Sequence, residues 1–478
     1  MLENQYKSFI SKTVDATKLI NEGLEKNLRI LIVSHFDADG IAAAAILSKA
    51  LYRKDALFHV KIIKRLNENI ISDLSKINSD LFIFSDIGAG YLSNISKIIG
   101  EKKAIILDHH QLEPTQQPKN ILHVNPHLFE LDGANEISGS GISYLVSKSI
   151  DTNNVDLSPL GVVGALGDIQ DKGEKHSLFG LNNIIVEDSI NSGNIKVETD
   201  LIFFGRETRP MHKAIAYTTN PFLPGLSGKE DRCFALLNSA QIPSKDGDKW
   251  RSLADLTQEE KQRLLSKIIE HISSLGFSGN IAADLVGKVY TLVKEEKMTP
   301  SRNAREFAAL LNACGRMERH SLALAFCLGE RDLIMDEIQD ILNEYRRILA
   351  NYMDLLTKSK ERIDDNDKLL VIHGEDIINE NMTGALSTIL LMSNQNTEKV
   401  ILVLSKTEDG NIKISGRASR LILQKGANLG KIMQTLAEKF SGMGGGHDVA
   451  AGAEISPQVK LAFLEEFKNL LLNQIGSN

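Results

Sequence analysis

The sequence predicts an α/β protein: an N-terminal, mostly parallel sheet, a helical insertion with a long connector helix, and a smaller C-terminal α/β domain. Three observations predict it. Short apolar runs alternate with helical periodicity over 1–194, that alternation stops over 195–300, and it returns over 366–478. At 478 residues the chain is too long for one core, so several domains are expected.

The elements follow in order. "RILIVSH" reads as a buried strand and "GIAAAAILSKALYR" as an Ala/Leu-rich helix. "FHVKIIK" and "DLFIFSDIG" are strands, "YLSNISKIIG" is a helix, and "KAIILDHH" and "ILHVNP" are further strands. "SGISYLVSKSI" and "PLGVVGALGDIQD" read as helices. Apolar strands separated by helices imply a sheet covered on both faces, with ligands at the carboxyl ends of its strands. From 195 to 300 the strand pattern is absent, and three of the ten prolines fall within "FFGRETRPMHKAIAYTTNPFLPGLSG". This stretch is expected to be an inserted, mainly helical module. Residues 301–365 form a helical connector. In it, "RDLIMDEIQDILNEYRRILANYMDLLTKSKERI" runs about 33 residues without Gly or Pro, as one strut or as two helices. The last domain, 366–478, holds strands at "KLLVIHG" and "AGAEIS" and a hairpin turning at Asp409-Gly410. Helices are expected at "MTGALSTILLMS", "NLGKIMQTLAEKF" and "QVKLAFLEEFKNLLLNQI".

Composition narrows the function classes. Hydrophobic content of 42% and charged content of 24% are those of a soluble globular protein. A net charge of −7 argues against coating nucleic acid by bulk charge, though a local basic groove stays open. Aromatic residues make up 5% of the chain, with one Trp, so stacking platforms are not evident. Cys233, Cys314 and Cys327 show no CxxC spacing and read as buried apolar residues in a reducing compartment. The N-terminus has no apolar leader, and no run approaches the roughly 20 residues of a membrane span. A cytoplasmic protein without membrane association is expected.

Chemistry gathers where the first domain's apolar segments end. His35, Asp37 and Asp39 follow "LRILIVS", Asp86 follows "DLFIFS", Asp108, His109 and His110 follow "KAIIL", and Asp168 lies in "GALGDIQD". One such Asp is ordinarily a turn residue or a helix N-cap. Several acids and histidines converging on one crevice would repel without a cation. Mixed carboxylates and imidazoles favour Mn²⁺, Fe²⁺ or Zn²⁺, whereas an all-oxygen set would favour Mg²⁺ or Ca²⁺. About six ligands suit a bridged pair of cations, the arrangement that supports in-line displacement at phosphorus.

Two further groups qualify as anion sites. In "SGRASR", Ser415, Arg417 and Ser419 alternate onto one strand face. In "GMGGGHDVAAG", Gly444, Gly445, Gly446 and His447 make a loop whose amides could wrap a phosphate. Taken singly, a flexible loop and a solvated arginine are the plainer readings; together they favour a phosphate or carboxylate ligand. "SRNAREFAALLNACGR" crowds Arg302, Arg305, Asn312 and Arg316 onto a short helix, as a charged face or as a strip lining a nucleic-acid channel. "SGSGIS" lacks GxGxxG, which argues against a dinucleotide fold. His212 and His373 read as packing or surface residues.

"SHFDADG", "FSDIG", "LDHH" and "GALGDIQD" resemble, in order and spacing, the four motifs of the DHH phosphoesterase superfamily. "GMGGGHDVAAG" resembles the glycine-rich signature of the companion DHHA1 domain of RecJ-type nucleases and nano-RNases, and "NAREFAALLNACGR" is similar to a RecJ segment. "ETRPMHKAIAYTTNPFLPGLSG" is similar to archaeal RecJ-like exonucleases, including the one that associates with the GINS replication complex. The resemblance implies a single-strand-specific exonuclease of DNA or RNA in replication or repair, with two divalent metals, Mn²⁺ favoured and Mg²⁺ the alternative. By motif, His35, Asp37 and Asp86 would hold one metal, and Asp39, Asp86, His109 and Asp168 the other. His110 would contact the scissile phosphate and Asp108 would orient the neighbouring histidine. Ser415, Arg417, the Gly444–Gly446 run with His447, and Arg302 and Arg316 would hold the substrate. The insertion at 195–300 and the lack of a C-terminal OB-fold extension depart from bacterial RecJ, which leaves polarity and DNA-versus-RNA preference open. Alternatives are a nano-RNase or cyclic-dinucleotide phosphodiesterase, and a GINS-associated scaffold engaging its partner through 195–300.

Overall fold

The computed structural model describes residues 2–218, 221, 223–276, 284–393 and 398–476. Residues 219, 220 and 222 of the expected GINS-type segment, and 277–283 of the insertion, lie outside the described residues. The chain divides into two compact units, Met1–Leu342 and Asn343–Asn478.

The first unit is built on five parallel strands: β1 (Ile30–His35), β2 (Phe58–Ile63), β3 (Leu81–Ser85), β4 (Lys103–Leu107) and β5 (Ile121–Val124), in the order β2-β1-β3-β4-β5. Alternation sorts each strand's side chains onto two faces. Leu31, Val33, Phe82, Phe84, Ala104 and Ile106 pack with Leu74, Leu92, Ile95 and Ile98 of α3 (Glu68–Lys76) and α4 (Leu92–Ile99). The opposite face is covered by α2 (Ala38–Tyr52), α5 (Gly139–Ile150) and α1 (Leu2–Glu25), with α6 (Ser158–Gly167) packed on α2 and α5. Helix α2 is buried around almost its whole circumference, which its alanine run permits. The order places the crossover reversal between β1 and β3. A crevice therefore opens at the carboxyl ends of those two strands, where such sheets bind ligands.

The insertion, expected to be mainly helical, also contains strands. After α7 (Leu181–Asn191), strand β6 (Ile195–Leu201) pairs antiparallel with β9 (Val286–Leu292), so the module hangs from a two-stranded ribbon. The alternation was missed because β6 (IKVETDL) is half exposed and carries three charges. Between them lie α8 (Met211–Tyr217), α9 (Glu230–Ser239), the short pair β7 (Lys245–Asp246) and β8 (Lys249–Trp250), and α10 (Gln258–Ser274). They enclose a core of their own from Phe203, Met211, Ile215, Leu237, Leu253, Leu264 and Ile268.

Helix α10 starts at a capping box. Thr257 Oγ1 accepts from the Glu260 amide at 3.2 Å, and Glu260 accepts from the Thr257 amide at 2.9 Å. Arg251 grips the same carboxylate with two bonds of 2.8 and 2.6 Å. The Arg251 bonds lead in holding the Glu260 carboxyl down at about 2, below its ordinary 4.5. A depressed carboxyl stabilises the fold above its unfolded value, and the contribution fades as pH falls from 4.5 toward about 2. Glu260→Ala is therefore expected to lower stability by about 1–2 kcal/mol at pH 7, the scale of a lost cap. Thermal melts of both proteins at pH 7 and pH 3 should show the gap narrowing at the lower pH.

Helices Ala304–Arg316 and His320–Leu328 pack on α2 and α6 inside the first unit. The expected connector is thus shorter than its sequence suggests. A single helix, Met335–Lys358, covers 24 residues, about 36 Å, and contains the boundary between the two units. Among the described residues no helix is long and apolar enough to cross a membrane, and all three cysteines are buried.

The second unit is a six-stranded mixed sheet in the order β10-β11-β12-β13-β15-β14. Its strands are β10 (Ile363–Asp365), β11 (Leu369–His373), β12 (Val400–Lys406), β13 (Ile412–Ala418), β14 (Met443–Gly446) and β15 (Ala450–Ile455). Gly410, at φ 86°, makes the turn between β12 and β13. Helices Leu429–Lys439 and Lys460–Gly476 close the core with Met433, Leu436, Phe463 and Phe467.

Candidate metal centre

Strand β1 ends by presenting His35, and Asp37 begins α2 as its N-cap, accepting from the Gly40 amide at 3.0 Å. The chain turns so tightly here that a Cβ on Gly40 would lie 2.3 Å from the His35 carbonyl, so only glycine fits. Asp39 sits in the first turn of α2 and is fully buried. Asp86 follows β3 at φ 56°, a left-handed conformation that Asp tolerates. Asp108, His109 and His110 follow β4, and Asp168 caps the C-terminus of α6.

These side chains meet. Asp86 Oδ1 lies 3.2 Å from His109 Nε2, and Asp86 Oδ2 lies 3.5 Å from His35 Nδ1. His35 Nδ1 is 2.8 Å from Asp37, and His109 Nε2 is 3.2 Å from Asp168 and 3.8 Å from Asp39. Potential ligand atoms converge in three overlapping groups: His35, Asp37 and Asp86; Asp39, Asp86, His109 and Asp168; and Asp86 with Asp108, His109 and His110. Asp86 is common to all three.

The electrostatics ask for cations. Both Asp86 oxygens are buried and faced only by the His109 and His35 imidazoles, without a well-formed hydrogen bond, an arrangement that is costly unless a charge compensates it. Burial, then the charges of Asp86 and Asp168, push the Asp39 carboxyl well above its ordinary range. Burial also raises the Asp168 carboxyl. Burial alone would lower the His35 and His109 imidazoles, but the carboxylates beside them outweigh it and hold both well above the usual histidine value. His109 Nδ1 meets the Gly133 carbonyl at 2.6 Å, which leaves Nε2 toward the carboxylates, the geometry of a metal-ligating histidine. The donor set of carboxylates and imidazoles fits divalent metal binding.

Asp108 is used otherwise. It is buried and accepts from the amides of Ala89 (2.7 Å), His109 (2.8 Å) and His110 (3.2 Å), and pairs with His110 Nδ1 at 2.7 Å. Burial opposes its ionisation, yet the His110 charge and these bonds carry its carboxyl well below the ordinary range. Its bonded partner His110 stays partly exposed.

The remaining expected site residues are placed as follows. Arg316 ends the helix Ala304–Arg316. Arg302 donates to the Glu295 carbonyl at 2.6 Å and faces Glu207 at 3.6 Å. Arg305 likewise binds Asp171 and the His176 carbonyl. In the second unit, Ser415 Oγ lies 2.8 Å from Thr383 Oγ1, and Arg417 Nε donates to Thr388 Oγ1 at 3.1 Å. Both reach the helix Thr383–Ser393, so the predicted alternation puts them on one face. Ser419 instead caps the helix Arg420–Leu423.

The glycine run corrects the expected loop: Gly444, Gly445 and Gly446 form edge strand β14, paired with Ala453, Gly452 and Ala451. At Gly444 the small size serves close packing, since a Cβ there would lie 2.7 Å from the Met433 carbonyl of the adjoining helix, whereas a Cβ on Gly445 would meet nothing within 4 Å. His447 follows, its amide donating to Ala450.

Sequence reasoning missed the support beneath Asp39. The amides of Gly139 and Ser140, at the start of α5, donate to its two oxygens at 2.6 and 3.1 Å. The "SGSG" set aside as a failed dinucleotide motif is thus the anion-holding helix start of this site. A Ser N-cap followed by glycines was the available signal.

Three family models match successive parts of the chain: DHH family, N-terminal domain, over 29–162; DHH-CID domain over 203–286; and DHHA1 domain over 366–473. The chain is 32% identical to Uncharacterized protein MJ0831 of Methanocaldococcus jannaschii over 467 residues, covering 96% of this chain and 97% of that one. It is 25% identical to the single-stranded-DNA-specific exonuclease RecJ of Thermus thermophilus over 189 residues, 37% of this chain and 27% of RecJ. Similar folds include T. thermophilus RecJ in complex with Mn²⁺ (TM-score 0.58, 18% identity, 97% of this chain and 55% of that one). CDC45 from Entamoeba histolytica is another (TM-score 0.62, 12% identity, 96% and 99%). With matching models in order along the chain and a relative shared end to end, this chain belongs to the DHH–DHHA1 phosphoesterase family, hydrolases of phosphodiester bonds to which RecJ is related.

Proposed function

We propose that the protein is a cytoplasmic, metal-dependent exonuclease that removes terminal nucleotides from single-stranded DNA or RNA in replication or repair, using two divalent cations, Mn²⁺ before Mg²⁺. The observation that carries this is the placement of Asp86: one buried oxygen faces the His109 group and the other faces His35, as a bridging carboxylate requires. His35, Asp37 and Asp86 would hold one cation, and Asp39, Asp86, His109 and Asp168 the other. When bound, the pair would neutralise phosphoryl oxygens and lower the pKa of an attacking water. Asp108 holds Nδ1 of His110, so Nε2 is the nitrogen that would donate to the scissile phosphate. Ser415, Arg417, His447 and Arg316 would bind the substrate's phosphates. The catalytic domain would comprise 1–194, with 301–328 counted to it by packing; 195–300 would be the inserted module and 366–478 the substrate-binding domain.

The test uses 5′- and 3′-labelled single strands of DNA and RNA. Mononucleotide release is expected with Mn²⁺, falling to background in EDTA. Turnover of dinucleotides without attack on any strand would replace the proposal by the nano-RNase or cyclic-dinucleotide reading. Absence of all cleavage would favour a scaffold that binds the GINS complex through 195–300, the reading raised by the resemblance of "ETRPMHKAIAYTTNPFLPGLSG".

A further inference from the structure

The helix Ala304–Arg316 lies against the ligand-bearing turn at three points. Asn312 Oδ1 accepts the amide of Ala38, the residue between Asp37 and Asp39, at 3.1 Å. Its Nδ2 reaches the carbonyl of Gly167, the residue before Asp168, at 3.5 Å. One turn on, Gly315 lets the backbone come so close that a Cβ there would lie 2.0 Å from the Phe36 carbonyl. Beyond the helix, His320 meets the Phe36 ring edge-on at 6.3 Å, and Phe36 in turn meets His35 at 4.7 Å. The helix is anchored by Phe307, Leu310, Leu311 and Cys314, all fully buried, so it is a rigid backing.

A single carboxamide therefore spans two separate ligand segments. Asp37 belongs to one group of ligand atoms, and Asp39 and Asp168 to the other. Only a side chain with both an acceptor and a donor can bind an N–H on one loop and a C=O on the other. We infer that Asn312 is a positioning residue: its amide ties the Asp37–Asp39 turn to the Gly167–Asp168 turn and so sets the spacing between the two halves of the metal centre. The tie itself stands on the metal-free geometry; its consequence for spacing rests on the two-cation reading above. Support behind ligands of this kind changes metal affinity roughly 10–100-fold when lost.

The test separates the two. Amide hydrogen exchange on the metal-free full chain reads the tie alone. Asn312→Leu, close in size and without hydrogen bonds, should speed exchange about tenfold over 36–40, with the core of α2 and β1–β5 unchanged. Asn312→Asp keeps the acceptor for Ala38 and loses the donor to Gly167. It should restore protection at 36–40 while, on Mn²⁺ titration, still binding the cations less evenly than the wild type. Mn²⁺ titration and the Mn–Mn coupling seen by electron paramagnetic resonance read the spacing: the leucine variant should lose roughly tenfold in affinity and show weakened coupling. Its kcat should fall more than its KM changes. Unchanged exchange over 36–40 in Asn312→Leu would overturn the inference, whatever the metal data. If that variant loses protection throughout the first unit, the aspartate variant decides: wild-type exchange together with wild-type Mn²⁺ titration and coupling would overturn it. Wild-type protein that binds a single Mn²⁺ would remove the two-cation reading while leaving the exchange result to judge the tie.

Discussion

Asp86→Asn is expected to reduce phosphodiester hydrolysis by roughly 10³-fold or more, above the 10²–10³ assigned to loss of one preorganised electrostatic group. Asparagine is the informative replacement. Asp86 sits at φ 56°, where Asn is tolerated and Ala would add backbone strain of about 1 kcal/mol. The substitution keeps shape and removes the charge that faces both His109 and His35. Asp86 is buried and faces the His35 and His109 imidazoles, so each protein's metal-free melting temperature is the baseline for its own response to Mn²⁺. Cations that bind only the folded wild type should stabilise it by about 2.7 kcal/mol at a hundredfold excess over Kd, and that gain should vanish in the variant. Melting curves with and without Mn²⁺, read beside the strand assay, check both halves. Activity within tenfold of wild type, or an undiminished Mn²⁺-induced rise in Tm, would remove Asp86 from the bridging position.

Gly164→Ala should disable the second half of the centre from a residue that binds nothing. A helix interior such as α6 ordinarily welcomes alanine. Here a Cβ would lie 2.1 Å from Ser140 Oγ and 2.3 Å from Asp39 Oδ1. Ser140 can turn its hydroxyl aside, but Asp39 cannot move without breaking its bonds from the Gly139 and Ser140 amides. Overpacking of this kind costs about 1–3 kcal/mol. The expected result is a lower Tm together with loss of one Mn²⁺ from the titration and a fall in activity of roughly 10²-fold, the scale of a displaced ligand shell. Normal Mn²⁺ stoichiometry in a folded Gly164→Ala protein would show that α6 and Asp39 are not so tightly coupled.

Much of this was legible in one dimension. Strands β1, β3 and β4 are written as continuous apolar runs because both faces of a parallel sheet are buried. Each ends where polar residues begin, which marks the rim of the crevice. His35, Asp37, Asp39, Asp86, His109 and Asp168 were identifiable because so many ligand-type side chains at strand ends have no other common explanation. The β6–β9 ribbon was not legible, since β6 is half exposed and carries charges in place of an apolar run. The glycine run was legible as special but misassigned: a glycine kept small for a neighbouring helix reads the same as a glycine kept free for a loop.

What the sequence by itself determined, then, is the fold class, the crevice and a set of candidate ligands, because periodicity and residue chemistry are local properties. Tertiary structure alone decided which atoms meet. Asp86 divides its two oxygens between His109 and His35, Asp108 turns to His110, and Arg302 is drawn to Glu295 and Glu207. Gly139 and Ser140 donate to Asp39 across about a hundred residues, and Asn312 reaches Ala38 from farther still. Hydrogen bonds are short and directional, so the partner of a side chain depends on backbone packing that no local pattern encodes.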